Sequence, residues 1–125
     1  MNLLLDTHTL LWALADAPSL ATGAREAITD GRNRVLVSAV SVWEIVIKKA
    51  IGKLRAPDDL PHQLTNARME PLEITIAHAM AVADLRDLHA DPFDRMLVAQ
   101  ARTDGLTIVT RDARIASYEV AVLPA

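Results

Sequence analysis

Four carboxylates in this 125-residue chain stand where a fold can gather them: Asp6, Glu44, Asp94 and Asp112. Asp6 closes Asn-Leu-Leu-Leu-Asp, whose three consecutive leucines read as a strand buried on both faces, as in the centre of a parallel sheet. Glu44 falls in the first turns of a helix expected after the strand-like Arg34–Val37. Asp94 lies in the first turn of a helix opened by Asp91-Pro92, and Asp112 follows the strand-like Leu106–Val109. In a parallel sheet these places lie along one carboxyl edge, where open α/β folds hold their ligands. Acids far apart in sequence are therefore expected at one crevice.

Each acid also has a local explanation. Asp6 can cap a helix beginning at Thr7. Glu44 stands three residues after Ser41, the spacing of a capping box. Asp94 stands three after Asp91 and is favoured by the helix dipole in any case, and Asp112 can cap a short turn. The joint arrangement asks for more. Two like charges about 4 Å apart repel by roughly 4 kcal/mol at an effective dielectric of 20, and no lysine or arginine is obligatorily placed among all four. Such a cluster calls for a divalent cation. Oxygen donors without His–Cys spacing suit Mg²⁺ or Mn²⁺ better than Zn²⁺. The chemistry is metal-activated water attacking a phosphodiester, with one or two ions stabilising the attacking and leaving oxygens.

The elements that must position these acids alternate between strand and helix. After the first strand, Thr7–Ala15 reads as a helix apolar nearly all round, ended by Asp16-Ala17-Pro18. A second helix runs from Ser19 or Thr22 to Asp30, with Gly31 as its stop. Arg34–Val37 is a strand and Ser38–Ile51 a helix, closed by Lys48, Lys49, Lys53 and Arg55 where cations suit the dipole. Pro57–Arg68 is a short helix, Glu70–Ile74 a third strand, and Thr75–Leu85 an amphipathic helix with a Thr cap. The Asp91–Gly105 helix has Asp at its cap and Pro at its first position. Leu106–Val109, a turn at Asp112–Ser117 and a last strand at Val120–Leu123 complete the chain. This alternation predicts an α/β fold: a parallel sheet of four to five short strands flanked by helices. No repeat, linker or low-complexity tract divides it, so residues 1–125 read as one domain.

Composition narrows the classes. The net charge of −3 argues against a polycation that coats nucleic acid but leaves room for a local basic patch. Without cysteine there is no disulfide framework, zinc ribbon or thiolate nucleophile, which fits a reducing cytoplasm. Met1–Ala15 is apolar but lacks a basic leader and is interrupted by Asp6 and His8, unlike a signal peptide. No apolar run approaches the roughly 20 residues of a spanning helix, so a cytoplasmic protein without membrane contact is expected.

Four segments together resemble the PIN-domain ribonucleases, and within them the VapC toxins of bacterial toxin–antitoxin pairs. They are Leu-Leu-Leu-Asp-Thr-His, Val-Ser-Ala-Val-Ser-Val-Trp-Glu, His-Ala-Asp-Pro-Phe-Asp-Arg-Met-Leu-Val-Ala-Gln-Ala and Ile-Val-Thr-Arg-Asp. The resemblance spans essentially the whole chain in order, and the third segment is the most specific. It implies a parallel sheet sandwiched between helices, a PIN-like three-layer fold. It matches Asp6, Glu44, Asp94 and Asp112 to the family's acidic metal-binding residues, with Asp91 a cap first and a ligand second. It also implies RNA cleavage dependent on Mg²⁺ or Mn²⁺, a cognate antitoxin that holds it off, and a homodimer.

Other residues are weighed against bland roles. Asp6-Thr7-His8 opens like a metallophosphoesterase, but the Gly-Asp and Gly-Asn-His segments of that fold are absent, leaving His8 on the helix surface or behind the ligands. His89 precedes the Asp91 cap and is placed to position substrate, whereas His62 and His78 read as surface or packing residues. Arg95 and Arg111, beside Asp94 and Asp112, are candidates for gripping phosphates, with Arg114; the lysines read as a solvated face. Thr110 is placed to orient a water or ligand. With two Trp, one Phe and one Tyr, extensive base stacking is excluded. Trp12 and Trp43 read as core or interface anchors beside an apolar groove for the antitoxin. Two rival readings remain: a small Mg²⁺ phosphatase with Asp6 as nucleophile, and a non-catalytic PIN-like module that binds RNA or protein.

Overall fold

The computed structural model describes residues Met1–Ala125. The strands are β1 (Asn2–Leu5), β2 (Arg34–Ser38), β3 (Glu70–Leu72), β4 (Thr107–Thr110) and β5 (Val122–Pro124). They form one sheet in the order β3-β2-β1-β4-β5. Every pairing is parallel; Leu5 lies beside Val37 on one side and Val109 on the other. Parallel neighbours need crossover connections. Seven helices supply or follow them: α1 (Thr7–Leu14), α2 (Thr22–Thr29), α3 (Ala39–Ala50), α4 (Leu60–Asn66), α5 (Ile76–Ala81), α6 (Pro92–Asp104) and α7 (Ala113–Ala116). A three-layer α/β sandwich results, as the alternation predicts.

The leucine run divides itself between the layers because successive strand side chains point to opposite faces. Leu3 and Leu5 join Val35, Val37 and Val109 in a core with Leu10 of α1, Ala24 of α2 and Leu60 of α4. Leu4 joins Leu36 and Ile108 in the other core, with Leu97 and Val98 of α6 and Ile115 of α7. Helix α3 serves both, sending Ile45 to the first and Val40 to the second.

Element ends show where local signals compete. The second helix begins at Thr22, not Ser19, and its cap is Asp30 rather than Gly31. The Pro57–Arg68 segment is helical only over Leu60–Asn66. β3 stops at Leu72, because Thr75 already caps α5 by accepting from the His78 amide, while His78 Nδ1 accepts from the Thr75 amide. α5 gives way to a 3-10 turn at Val82–Asp84. The last strand is Val122–Pro124, displaced from Val120–Leu123; a proline is tolerated there because β5 is an edge strand. Gly105 ends α6 at φ 68°, a left-handed conformation that glycine adopts without strain.

Leu4 is the hinge of this packing, buried at the middle of the central strand. Leu4→Ala is expected to lower the unfolding free energy by about 2–5 kcal/mol, measured by urea titration followed by circular dichroism.

Candidate active site

The strand order reverses at β1: β2 and β3 lie to one side, β4 and β5 to the other. Beyond the carboxyl ends of strands flanking such a reversal, the connections diverge and leave a crevice. Here it is a cleft of about 390 Å³ lined by Asp6, Thr7, His8, Trp12, Glu44, Lys48, Asp91, Asp94, Arg111, Asp112 and Arg114. All four acids singled out in the sequence face it.

Asp6 leaves β1 into the first turn of α1. Its Oδ1 accepts from the Thr9 amide at 2.9 Å, so it is the helix cap that local reasoning allows. Its Oδ2 accepts the Thr110 hydroxyl proton from the end of β4. The Thr110 hydroxyl in turn accepts from the Asp112 amide at 3.0 Å. Capping and membership of the cleft are thus compatible in one carboxylate.

Glu44 is buried on α3 and held at both oxygens. The Thr7 hydroxyl donates to Oε1 at 2.5 Å, and Lys48, one turn on, donates to Oε2. The capping box with Ser41 does not form. Ser38 caps α3 instead, accepting from the Val40 amide at 3.1 Å, which moves Glu44 beyond the first turn. Thr7 carried no signal of its own in the sequence; a hydroxyl beside an acid is too common to distinguish.

Asp94 enters from the start of α6. Asp91 is the cap of that helix, accepting from the amides of Phe93 at 2.8 Å and Asp94 at 3.3 Å. His89 Nε2 lies 2.7 Å from Asp94 Oδ2 and 4.0 Å from Asp112 Oδ2, with its side chain only 4% exposed. His89 is therefore more central than its loop position indicates. Asp112 caps α7, accepting from the Arg114 amide at 2.8 Å and pairing with the Arg114 guanidinium at 3.1 Å.

Basic groups do reach the acids, contrary to the expectation of a cluster without them. Lys48 stands on Glu44 because both lie on one face of α3, and Arg114 on Asp112 because the cap precedes it by two residues. Arg114 holds the Asp112 carboxyl below its usual range despite partial burial, and Glu44 holds the Lys48 ammonium above its own. Asp94 differs. Burial pushes it up to about 6, and the neighbouring charges of Asp91 and Glu44 act in the same direction; the His89 hydrogen bond offsets only part.

The other candidates separate. Arg95 turns away from the cleft and donates to the carbonyls of Arg86 at 3.0 Å and Val82 at 3.3 Å and to the Tyr118 hydroxyl at 3.1 Å. It fastens the 82–86 segment to α6 and is unavailable to phosphate. Arg111 borders the cleft but is engaged. It donates to the carbonyls of Ala125 and Ser19 and lies 4.4 Å over the Trp12 ring, which ties down the chain end. His8 is exposed at the rim, 5.9 Å from the Trp12 ring. Trp12 is half-buried, whereas Trp43 is 59% exposed and meets only the edge of Phe93, so it is no core residue. Lys49 pairs with Asp58, and Lys53 and Arg55 are exposed outside the cleft. His78 is buried against Gln100 and Asp104, and His62 sits on the surface beside Asn66.

The donor set fits a divalent ion. One ligand atom each from His89, Asp94 and Asp112 lies within 4.8 Å of the others. Asp94 is a half-buried carboxylate with no lysine or arginine within ion-pair distance. A cation placed there would supply the charge that the protein does not.

A parallel α/β sandwich with acids gathered at the topological reversal is the class of domain that the fold and the cleft define. The PIN domain model matches residues 3–121, and the chain belongs to the PIN domain family. It is 30% identical over 124 residues to Ribonuclease VapC22 of Mycobacterium tuberculosis, covering 94% of this chain and 92% of that one. Its fold is also that of VapBC2 from Rickettsia felis, solved bound to a promoter DNA fragment, with a TM-score of 0.73 at 16% identity over 98% of both chains. A toxin–antitoxin complex from Klebsiella pneumoniae gives a TM-score of 0.63 at 19% identity, covering 97% of this chain and 95% of that one.

Because the folded Asp94 carboxyl titrates above its unfolded counterpart, the folded state takes up its proton first. Its contribution to stability is present below pH 3.8 and is lost as pH rises through about 6. At pH 7.5 without metal, Asp94→Asn should therefore melt at a higher temperature than the wild type. The difference should shrink at pH 5, as read by thermal denaturation in EDTA.

Proposed function

We propose that this chain is a metal-dependent endoribonuclease, the toxin component of a type II toxin–antitoxin pair. The observation that carries the reading is the convergence of Asp6, Glu44, Asp94 and Asp112 on one cleft of a PIN domain. The relative named Ribonuclease VapC22, matched along nearly its whole length, supports RNA as the substrate. Asp6, Glu44, Asp94 and Asp112 would hold Mg²⁺ or Mn²⁺ directly or through water. A divalent ion bound there supplies the positive charge that activates water and stabilises oxygens departing from a phosphodiester.

The chain's own residues do the positioning. Thr110 fixes the Asp6 carboxylate from β4 and Thr7 fixes that of Glu44, so neither acid must be reoriented when charge arrives. Lys48 and Arg114 line the same cleft and offset part of the negative charge that an RNA backbone would meet. Asp91 remains the cap of α6, near enough to add to the field at Asp94.

The phosphatase alternative is less well supported. The relatives the chain matches are named as ribonucleases, which supports a phosphodiester and not a phosphomonoester as the substrate. A purely binding module gives no reason to bury Asp94 among other acids at a cost in stability.

A cognate antitoxin and a second copy of the chain are the expected partners. The related structures, a VapBC pair and a toxin–antitoxin complex, support the first. Trp43 and Val46 on α3, Ile51 just beyond it, and Ile76 and Met80 on α5 are exposed, and apolar faces of this kind suit covering by protein. No helix is long and apolar enough to cross a membrane.

Asp6→Asn and Asp94→Asn should each abolish cleavage of labelled RNA while leaving the circular dichroism spectrum unchanged, and EDTA should silence the wild type until Mg²⁺ or Mn²⁺ is restored. Full cleavage by either variant, or cleavage indifferent to EDTA, would refute the mechanism.

A further inference from the structure

We infer that His89 is a nitrogen ligand of the divalent ion, through Nε2, and that it biases this PIN site toward Mn²⁺ over Mg²⁺. The inference rests on the metal-dependent reading above and adds a ligand to it. Two donor atoms bound to one ion at about 2.1 Å can be no more than about 4.2 Å apart. His89 Nε2 satisfies that limit toward two acids at once, at 2.7 Å from Asp94 Oδ2 and 4.0 Å from Asp112 Oδ2.

Those acids come from different elements, the first turn of α6 and the cap of α7. A histidine serving only to hold Asp94 in place would have no reason to approach Asp112, whose carboxylate Arg114 already engages. Burial points the same way. The His89 side chain is 4% exposed and Asp94 17%, so the ring nitrogen meets the Asp94 carboxylate largely out of bulk water. To take an ion, the pair would release the proton it shares between Nε2 and Asp94 Oδ2, leaving the neutral ring protonated at Nδ1, and the ion would stand in place of that hydrogen bond.

The consequence is metal preference. Mg²⁺ demands oxygen donors in near-ideal octahedral geometry and gives up water reluctantly, while imidazole nitrogen favours the first-row transition ions. A site of four carboxylates and one imidazole should therefore separate Mn²⁺ from Mg²⁺ more strongly than one of carboxylates alone.

The test is pulsed electron paramagnetic resonance on the full chain loaded with Mn²⁺, with Mn²⁺ and Mg²⁺ affinities measured by competition. Nitrogen coupling to Mn²⁺ should be present in the wild type, change when the protein is grown on isotope-labelled histidine, vanish in His89→Gln and persist in His8→Gln. The ratio of Mn²⁺ to Mg²⁺ affinity should fall about ten-fold in His89→Gln. Isotope labelling reports histidine coordination without any substitution, so the test survives a variant that folds poorly. Mn²⁺ bound without nitrogen coupling, or coupling lost in His8→Gln instead, overturns the assignment of His89 and leaves the acidic site standing. A wild-type chain that binds no Mn²⁺ overturns both.

Discussion

The contact between Asp6 and Thr110 joins the ends of β1 and β4, the two strands between which the sheet reverses direction. One hydroxyl donates to the Asp6 carboxylate and accepts from the Asp112 amide, so a single side chain sets the spacing of two acids at the cleft. That contact requires β1 and β4 to be adjacent, in register and parallel, with Leu5 beside Val109. The backbone continues the pairing past the strand, since the Asp6 amide donates to the Val109 carbonyl at 3.3 Å. The site is thus an extension of the sheet's own hydrogen bonding into side chains.

Charge is distributed unevenly around this frame. Glu44 and Asp112 each carry a basic partner, and Asp6 is satisfied by an amide and a hydroxyl. Asp94 is left with a histidine, more acids and little water. A fold selected for stability alone would place a cation or an apolar residue there. Retaining an ionised acid lowers stability where charge is needed, which is the usual exchange of stability for activity at a functional site. The two buried cores on either side of the sheet supply the margin for it.

Much of this was legible before any coordinates. Hydrophobic alternation and the Gly and Pro signals placed every strand and helix, because those signals act within a few residues. The caps at Asp6, Asp91 and Asp112 were readable for the same reason, and each is observed. Errors arose where two local signals overlapped. Ser38 and Ser41 both suit a cap of α3, and only the end of β2 decides for Ser38. Arg95 neighbours a cleft acid in sequence yet points elsewhere, since adjacent residues on a helix face different directions, and Arg111 borders the cleft but is taken up by backbone carbonyls.

By itself, the sequence determined the type of fold and set four acids on one expected edge of the sheet, since burial follows from periodicity and parallel crossovers bring the carboxyl ends of the strands to one side. Only the tertiary structure decided which groups stand against those acids. His89 between Asp94 and Asp112, Thr7 on Glu44 and Thr110 on Asp6 bring together residues from different elements. Such contacts depend on the angle and depth at which helices pack on the sheet. Those are fixed by the sum of many small packing contacts in two separate cores, and no short stretch of sequence carries that sum.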